Sequence, residues 1–439
     1  MRTLPSLIRA SRTPAAVLAA GACTVAVLAG PGEPAKAAAA PAPATITGQQ
    51  LENLENTVRA DSADYAGLWI DQNTDTVYVA AARSAASASI TPSALLAQAS
   101  GTLTPAQAYG TASMKVDVVP VTYSAAQLQA ITGKIGTDTQ LQQVAVQAGS
   151  TITVWYADPS TDTAVIGFSK VTAAETAEVK AEFGDAARVI AQQPANPDVL
   201  RIPAGESLAQ ALKKEGVNVK PATSSGPEYD SSPWYGGDPI EFQENGHTSA
   251  CTAGYEFNGG KMSTAGHCAA NPDRFWYNGN QNQGQTYGTT YTVQFGNGRT
   301  DMQLLSGSYD PAIWAGPNGD TAEVVSGSGG VAMGGGTCDS GSNFGMNCDG
   351  HITEIDATLQ FCENGSCWNE IDQDVATDPS GDGCLVEPGE SGAPVFTSTS
   401  RNAPWAIGTI TGALGNNCNE AIFNDMYELK AIFGTAPTT

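Results

Sequence analysis

The sequence predicts an all-β C-terminal half built of short strands, preceded by an α+β N-terminal half. Three observations lead there. The 48 glycines are concentrated toward the C-terminus, where tight turns separate short apolar runs. Of nine cysteines, Cys23 lies near the N-terminus and the other eight all follow residue 250. Between about residues 47 and 220 the composition shifts to Ala, Gln, Thr and Val, with mixed helix and strand patterning. A chain of 439 residues has room for two or three domains and a sizeable core.

The elements follow in order. Arg2, Arg9 and Arg12 precede an apolar stretch from about Ala15 to Gly30, and Ala35-Lys-Ala37 supplies a small-x-small cleavage pattern. Residues 1–37 therefore read as an export signal, removed on secretion. Residues 38–46, all Ala and Pro as far as residue 44, need not fold. Leu51, Leu54, Val58 and Tyr65 follow a helical rhythm, while Thr76 to Ala80 and Ala164 to Phe168 read as strands. The stretches Asp71-Gln-Asn-Thr-Asp-Thr76 and Asp158-Pro-Ser-Thr-Asp-Thr163 each follow an aromatic-centred strand. This echo predicts two α+β subdomains of similar build, about 47–110 and 111–220. Leu208 to Lys214 looks helical, and Pro221 to Pro227 reads as an exposed linker closing a segment 38–230. Residues 231–439 form the short-stranded half, ending in a helix over Asn424–Phe433 that Asn424 or Asp425 can cap.

A net charge of −24 argues against nucleic acid and against an anionic membrane surface as partners. Nothing beyond the leader is long and apolar enough to span a bilayer. Eight cysteines in an exported chain read as disulfides, and their spacing fits no common zinc finger. The expected location is extracellular, with no metal or organic cofactor.

Chemistry is concentrated at few positions. There are three histidines, His247, His267 and His351, and imidazole is the usual group for drawing a proton from a serine hydroxyl near neutral pH. His267 lies in Ser263-Thr-Ala-Gly-His-Cys268, where small residues allow a tight turn. His247 and His351 read as surface or structural residues. Ser391 lies in Gly389-Glu-Ser-Gly-Ala-Pro394, where flanking glycines expose the hydroxyl and let amide N–H groups converge on an oxyanion. Asp301, in Gly298-Arg-Thr-Asp-Met302, stands at the mouth of a strand with alternating apolar residues.

Taken together, Cys251-Thr-Ala-Gly-Tyr255, Thr264-Ala-Gly-His-Cys268, Thr300-Asp-Met302 and Glu387-Pro-Gly-Glu-Ser-Gly392 resemble the streptogrisin and alpha-lytic group of bacterial chymotrypsin-fold proteases. Cys338 to Cys348, Ile407 to Gly412 with Cys418, and the final helix are similar too, so the resemblance covers about residues 234–435. It implies two six-stranded antiparallel Greek-key β-barrels side by side, with a triad in the cleft between them. His267 and Asp301 would come from the first barrel and Ser391 from the second. His267 would be general base and then acid, oriented by Asp301, and Ser391 the nucleophile of an acyl-enzyme. Gly389 and Ser391 would supply the oxyanion hole; Thr411, Gly412 and Ala413 would pair with substrate backbone and border the primary pocket. The resemblance pairs Cys251–Cys268, Cys338–Cys348 and Cys384–Cys418, leaving Cys362 and Cys367 to pair across the turn between them. It also implies a monomeric secreted endopeptidase acting on polypeptides. Residues 38 to about 230 would be its own prosegment, helping it fold and blocking the cleft until removed.

Three features depart from the family. Glu390 stands where an aspartate is usual before the nucleophile. The stretch Cys384 to Gly389 is one residue longer than usual, and Ala393 and Ala413 stand in place of glycines. Glu390 keeps open a second reading, a catalytically silent scaffold serving as an extracellular binding protein. A glycosidase with paired carboxylates would leave the His-Cys and Gly-x-Ser contexts unexplained. No acidic residue sits immediately before Cys384, so the pocket is expected to favour uncharged side chains.

Overall fold

The computed structural model describes residues 45–439 except 47, 84–89, 100–113, 198, 217–225, 245–246, 270, 272, 280–284, 316–319, 343–344, 382, 398–402 and 416–417. The expected export signal and most of the linker lie outside the described residues. Strand predominates over helix.

Two N-terminal assemblies are built alike. In the first, helix Gly48–Ala60 buries Leu51, Leu54 and Val58 and leads into the antiparallel hairpin Tyr65–Asp71 and Thr76–Ala82. Helix Pro92–Ala99 then precedes strand Met114–Val121, which runs parallel to Thr76–Ala82, so this sheet extends past residue 110 to Val121. In the second, helices Ala125–Ile135 and Thr139–Gln147 precede hairpin Ile152–Asp158 and Thr163–Phe168. Helix Ala173–Phe183 then leads to Ala187–Ala191, parallel to Thr163–Phe168.

The echoed sequences are the two hairpin turns. Asp71 and Asp158 each accept a backbone N–H two residues on, from Asn73 and Ser160, both at 2.9 Å. Asp75 and Asp162 each adopt a left-handed backbone, φ 48° and 56°, which a short polar side chain tolerates. Tyr65 does not continue the helical rhythm. The turn at Asp61 to Asp64 ends the helix, and Tyr65 opens the first strand.

The C-terminal half contributes two large sheets. In the first, the strands follow the open order Glu256–Phe257, Lys261–Thr264, Met302–Gly307, Thr286–Gln294, Phe275–Asn278, Pro239–Glu244, His247–Thr252 and Leu200–Ile202. It has eight strands, seven from residues 239–307 and one, Leu200–Ile202, from a segment preceding the linker that adds to its edge. In the second, Gly336–Gly341, Pro394–Thr397, Trp405–Leu414, Glu420–Asp425, Ser366–Thr377 and Gly345–Glu363 pair in sequence, and the last pairs back onto the first. Its sixth strand also receives Ile152–Asp158, which joins the N-terminal hairpin to this sheet. A small sheet of Trp234–Gly236, Tyr309–Ala315 and Thr321–Val324 completes the half.

The two halves share a core: Leu51, Leu54 and Val58 cluster with Ile352, Ala393, Trp405 and Phe423. Disulfides join Cys251–Cys268, Cys338–Cys348, Cys362–Cys367 and Cys384–Cys418. Among the described residues no helix is long and apolar enough to cross a membrane.

Candidate active site

His267 sits in a single 3-10 turn, Gly266–Cys268, directly after strand Lys261–Thr264. The small residues around it are needed for close approach. A β-carbon on Gly266 would lie 2.5 Å from the Gln294 carbonyl and 2.9 Å from Asp301 Oδ1. The Cys251–Cys268 bridge fastens the turn to strand His247–Thr252. Buried Gln303 fastens it from the other side, donating to the Ala265 carbonyl at 2.8 Å.

Asp301 is fully buried. Its Oδ1 accepts the His267 backbone N–H at 2.7 Å, and its Oδ2 is hydrogen-bonded to His267 Nδ1. Both carboxylate oxygens therefore hold one residue, which sets the position of the imidazole as well as its orientation. Asp301 is itself held from the second sheet. Asn424 accepts its N–H at 3.0 Å and donates to its carbonyl. Gln373 donates to Asn424 at 2.8 Å, and Thr411 donates to Gln373 at 2.8 Å. All three are fully buried. Thr411, expected beside the substrate, thus also ends a polar chain reaching Asp301.

Ser391 Oγ lies 2.9 Å from His267 Nε2. The loop that carries it is pinned on both sides: its carbonyl accepts from Thr252 N–H at 2.9 Å, and Gly392 N–H donates to Ile410 at 2.7 Å. Gly392 has φ 93°, and a β-carbon there would overlap the Thr252 carbonyl and the Thr264 hydroxyl. Thr252 Oγ1 holds the Gly389 carbonyl at 2.8 Å, and Gly389 has φ 96°. Among the described residues, the N–H groups of Gly389 and Ser391 meet no backbone acceptor.

The Glu390 side chain is buried and turns back to accept the Glu387 N–H at 3.0 Å. Its carboxylate lies where a β-carbon on Gly341 would be, so that glycine supplies the room for the longer acid. Ala393 is buried in the shared core. Glu370, which sequence patterning did not single out, is buried nearby. Burial pushes its carboxyl well up, the Asp301 charge adds to this, and Trp368 donates to it at 2.6 Å.

Gly412 and Ala413 lie in the fully buried strand Trp405–Leu414 and face an N-terminal segment: Ala413 pairs with Asn196 and Leu414 with Ala195. His247 is exposed at the start of its strand, and His351 lies in Gly345–Glu363. Among the described residues neither bonds to the three-residue cluster.

No family model matches the chain, and no curated protein matches it. Among solved structures it is similar to protease A of Thermobifida fusca, at 22% identity and a TM-score of 0.36, covering 47% of this chain and 98% of that one. The chymotrypsin of Cellulomonas bogoriensis gives 22%, 0.36, 47% and 98%. A glutamic acid-specific serine protease gives 21%, 0.36, 47% and 100%.

Proposed function

We propose that this chain is the secreted zymogen of a serine endopeptidase, with His267, Asp301 and Ser391 as its catalytic triad. The observation that carries this reading is the continuous relay from Asp301 Oδ2 through the imidazole to Ser391 Oγ, next to two loop N–H groups that meet no backbone acceptor among the described residues. His267 takes the serine proton as Oγ attacks a peptide carbonyl, and Asp301 stabilises the imidazolium. The Gly389 and Ser391 amides receive the oxyanion, and the imidazolium then protonates the departing amine. Water, activated by the same imidazole, resolves the ester. The closed pairing circuit of the second sheet supports reading it as a barrel. Four disulfides are consistent with export. The silent-scaffold reading loses its main support, because Gly341 makes room for Glu390 without displacing the serine from His267.

The test is labelling of the exported, matured protein with a fluorophosphonate probe, beside Ser391→Ala and His267→Ala. Labelling is expected in the parent and lost in both variants. A folded, matured parent that does not label would leave a scaffold with an unactivated serine.

A further inference from the structure

Three strands of the second sheet bring one carboxylate each to a single point. Asp356 comes from Gly345–Glu363, Asp374 from Ser366–Thr377 and Asp425 from the end of Glu420–Asp425. An oxygen from each lies within 4.8 Å of the other two. The backbone aims them. Pairing of the first two strands shifts register between Glu354 and Ala357, and Asp356 there adopts φ 50°. Its N–H donates to Asp374 Oδ1 at 2.9 Å. Asp425 Oδ1 caps the Tyr427 N–H at 2.7 Å, which leaves Oδ2 to face Arg59.

All three carboxylates belong to the C-terminal half, but their cation does not. Arg59, on helix Gly48–Ala60, stands 3.3 Å from Asp356 and 3.5 Å from Asp425, with Glu428 at 3.8 Å and Glu55 at 3.9 Å. Charge-assisted N–H···O bonds are normally about 2.7–2.9 Å long, so the guanidinium fills this place without bonding closely to it. Lys430 also acts on Asp425, but its ammonium donates to the Ser328 carbonyl at 2.9 Å. Among the described residues no other cation forms an ion pair with the three.

A second observation points to a ligand. Asp374 is fully buried, yet its Oδ2 meets no hydrogen-bond donor. Glu55 Oε1 meets none either, in a side chain only 8% exposed beside Arg59. Buried oxygens of charged groups are costly to leave unbonded. Burial and the charges of Asp425 and Asp356 hold the Asp374 carboxyl well above its usual range, and Arg59 only partly offsets them. One guanidinium is too little positive charge for the oxygens around it.

The arrangement suits a hard divalent cation of calcium's size. Calcium takes about six to eight oxygens at roughly 2.3–2.6 Å, so two oxygens sharing one ion stand at most about 5 Å apart. The three carboxylates already meet that limit. Magnesium, with bonds of about 2.0–2.1 Å, would need them closer. Asp356 is exposed, and a cavity of about 390 Å³ bordered by Arg59, Asp356 and Glu428 adjoins the cluster. It gives a hydrated ion its route and leaves room for waters to complete the coordination.

We infer that Asp356, Asp374 and Asp425 form a calcium site in the C-terminal half, filled in the full-length chain by the Arg59 guanidinium. Arg59 and calcium exclude one another, so the site opens to calcium when helix Gly48–Ala60 leaves. The site itself is independent of the protease reading; its opening on maturation rests on that reading.

The experiment titrates calcium calorimetrically into the full-length, chelator-treated Ser391→Ala chain. Beside it stand Arg59→Met, alone and with Asp374→Asn, in the same background, with thermal melting in parallel. Arg59→Met is expected to bind a single calcium ion at least about tenfold more tightly than the chain that keeps Arg59, because no fixed charge competes. It should also melt several degrees higher with calcium than without. Asp374→Asn keeps an acceptor for the Asp356 N–H and should abolish both effects. A folded Arg59→Met chain with no calcium response would overturn the inference. So would a response that survives Asp374→Asn, or one equalled by the chain that keeps Arg59. If Arg59→Met does not fold in chelator, its folded yield in calcium decides. Rescue that is lost with Asp374→Asn supports the site, and equal failure in calcium overturns it. None of these readouts uses peptidase activity, so fluorophosphonate labelling of the parent reports the fate of the protease reading separately.

Discussion

Glu390 is one methylene longer than the aspartate the resemblance leads one to expect, and the excess is absorbed at a single neighbouring position. Its carboxylate folds onto the Glu387 N–H and occupies the volume a side chain at residue 341 would fill. Gly341→Ala should therefore displace Glu390 and, through it, the loop holding Ser391. Activity is expected to fall about tenfold or more, since small misplacements of catalytic groups are costly. Glu390→Asp in the same background should restore most of it by shortening the acid. Measuring kcat/KM for the two single variants and the double variant checks this; equal losses in single and double variants would show that the two residues do not share that space. The adjacent pair Asn424 and Asp425 shows the same economy. Both are plausible helix caps in sequence, but Asp425 caps Met426–Phe433 by accepting the Tyr427 N–H, while Asn424 turns inward to hold Asp301.

Strand Gly345–Glu363 carries one of several buried carboxyls that burial pushes above the usual carboxylate range. Its pairing with Ser366–Thr377 shifts register on both sides of Glu354, which places a carboxyl inside. Burial raises the Glu354 pKa to about 8, partly offset by Gln192 and Arg188. Glu55, in helix Gly48–Ala60, is raised to about 8 by burial despite Arg59 beside it, and Asp425 to about 7. A carboxyl whose folded pKa lies above its unfolded value binds protons more tightly when folded. Its contribution is complete below about pH 4.3 and is lost as pH rises through the folded value. The full-length Ser391→Ala chain, used to prevent autolysis, should lose thermal stability between about pH 5 and pH 8. Glu354→Gln, which mimics the protonated form, should flatten that slope and stabilise at pH 8 by on the order of 2 kcal/mol. A slope unchanged by the substitution would place the titration elsewhere.

The N-terminal half completes the molecule rather than merely covering it. Helix Gly48–Ala60 contributes Leu51, Leu54 and Val58 to a core shared with the second sheet. Arg59 on the same helix stands among Asp356, Asp425 and Glu428 at 3.3 to 3.8 Å. Without that helix, apolar surface and buried carboxylates lose their partners together, and a long-range β topology is slow to form in any case. Residues 226–439 expressed alone should yield less than about a tenth of the active enzyme that the full chain gives, because non-local pairing must form unaided. Supplying residues 38–225 as a separate chain should recover part of it. Active-site titration with the fluorophosphonate probe reads the yield, and full activity from the C-terminal piece alone would refute the dependence.

His267 and Ser391 stood out in the sequence because each sits in a distinctive local backbone, a tight turn of small residues and a glycine-flanked loop, whereas Asp301 was selected among many acidic residues only by the family resemblance. The cap of the final helix and the paired hairpin turns were legible for the same local reason. Asn424 and Gln373 were not, since an amide reveals no partner in sequence, and Asn424 meets Asp301 across 123 positions. Gly341 was equally silent, because its role exists only where Glu390 arrives beside it. The pairing of Ala195–Asn196 with strand Trp405–Leu414, and of Leu200–Ile202 with His247–Thr252, was the least legible feature. It is held largely by backbone hydrogen bonds, which nearly any sequence can make, so register and proximity set it and side-chain pattern does not.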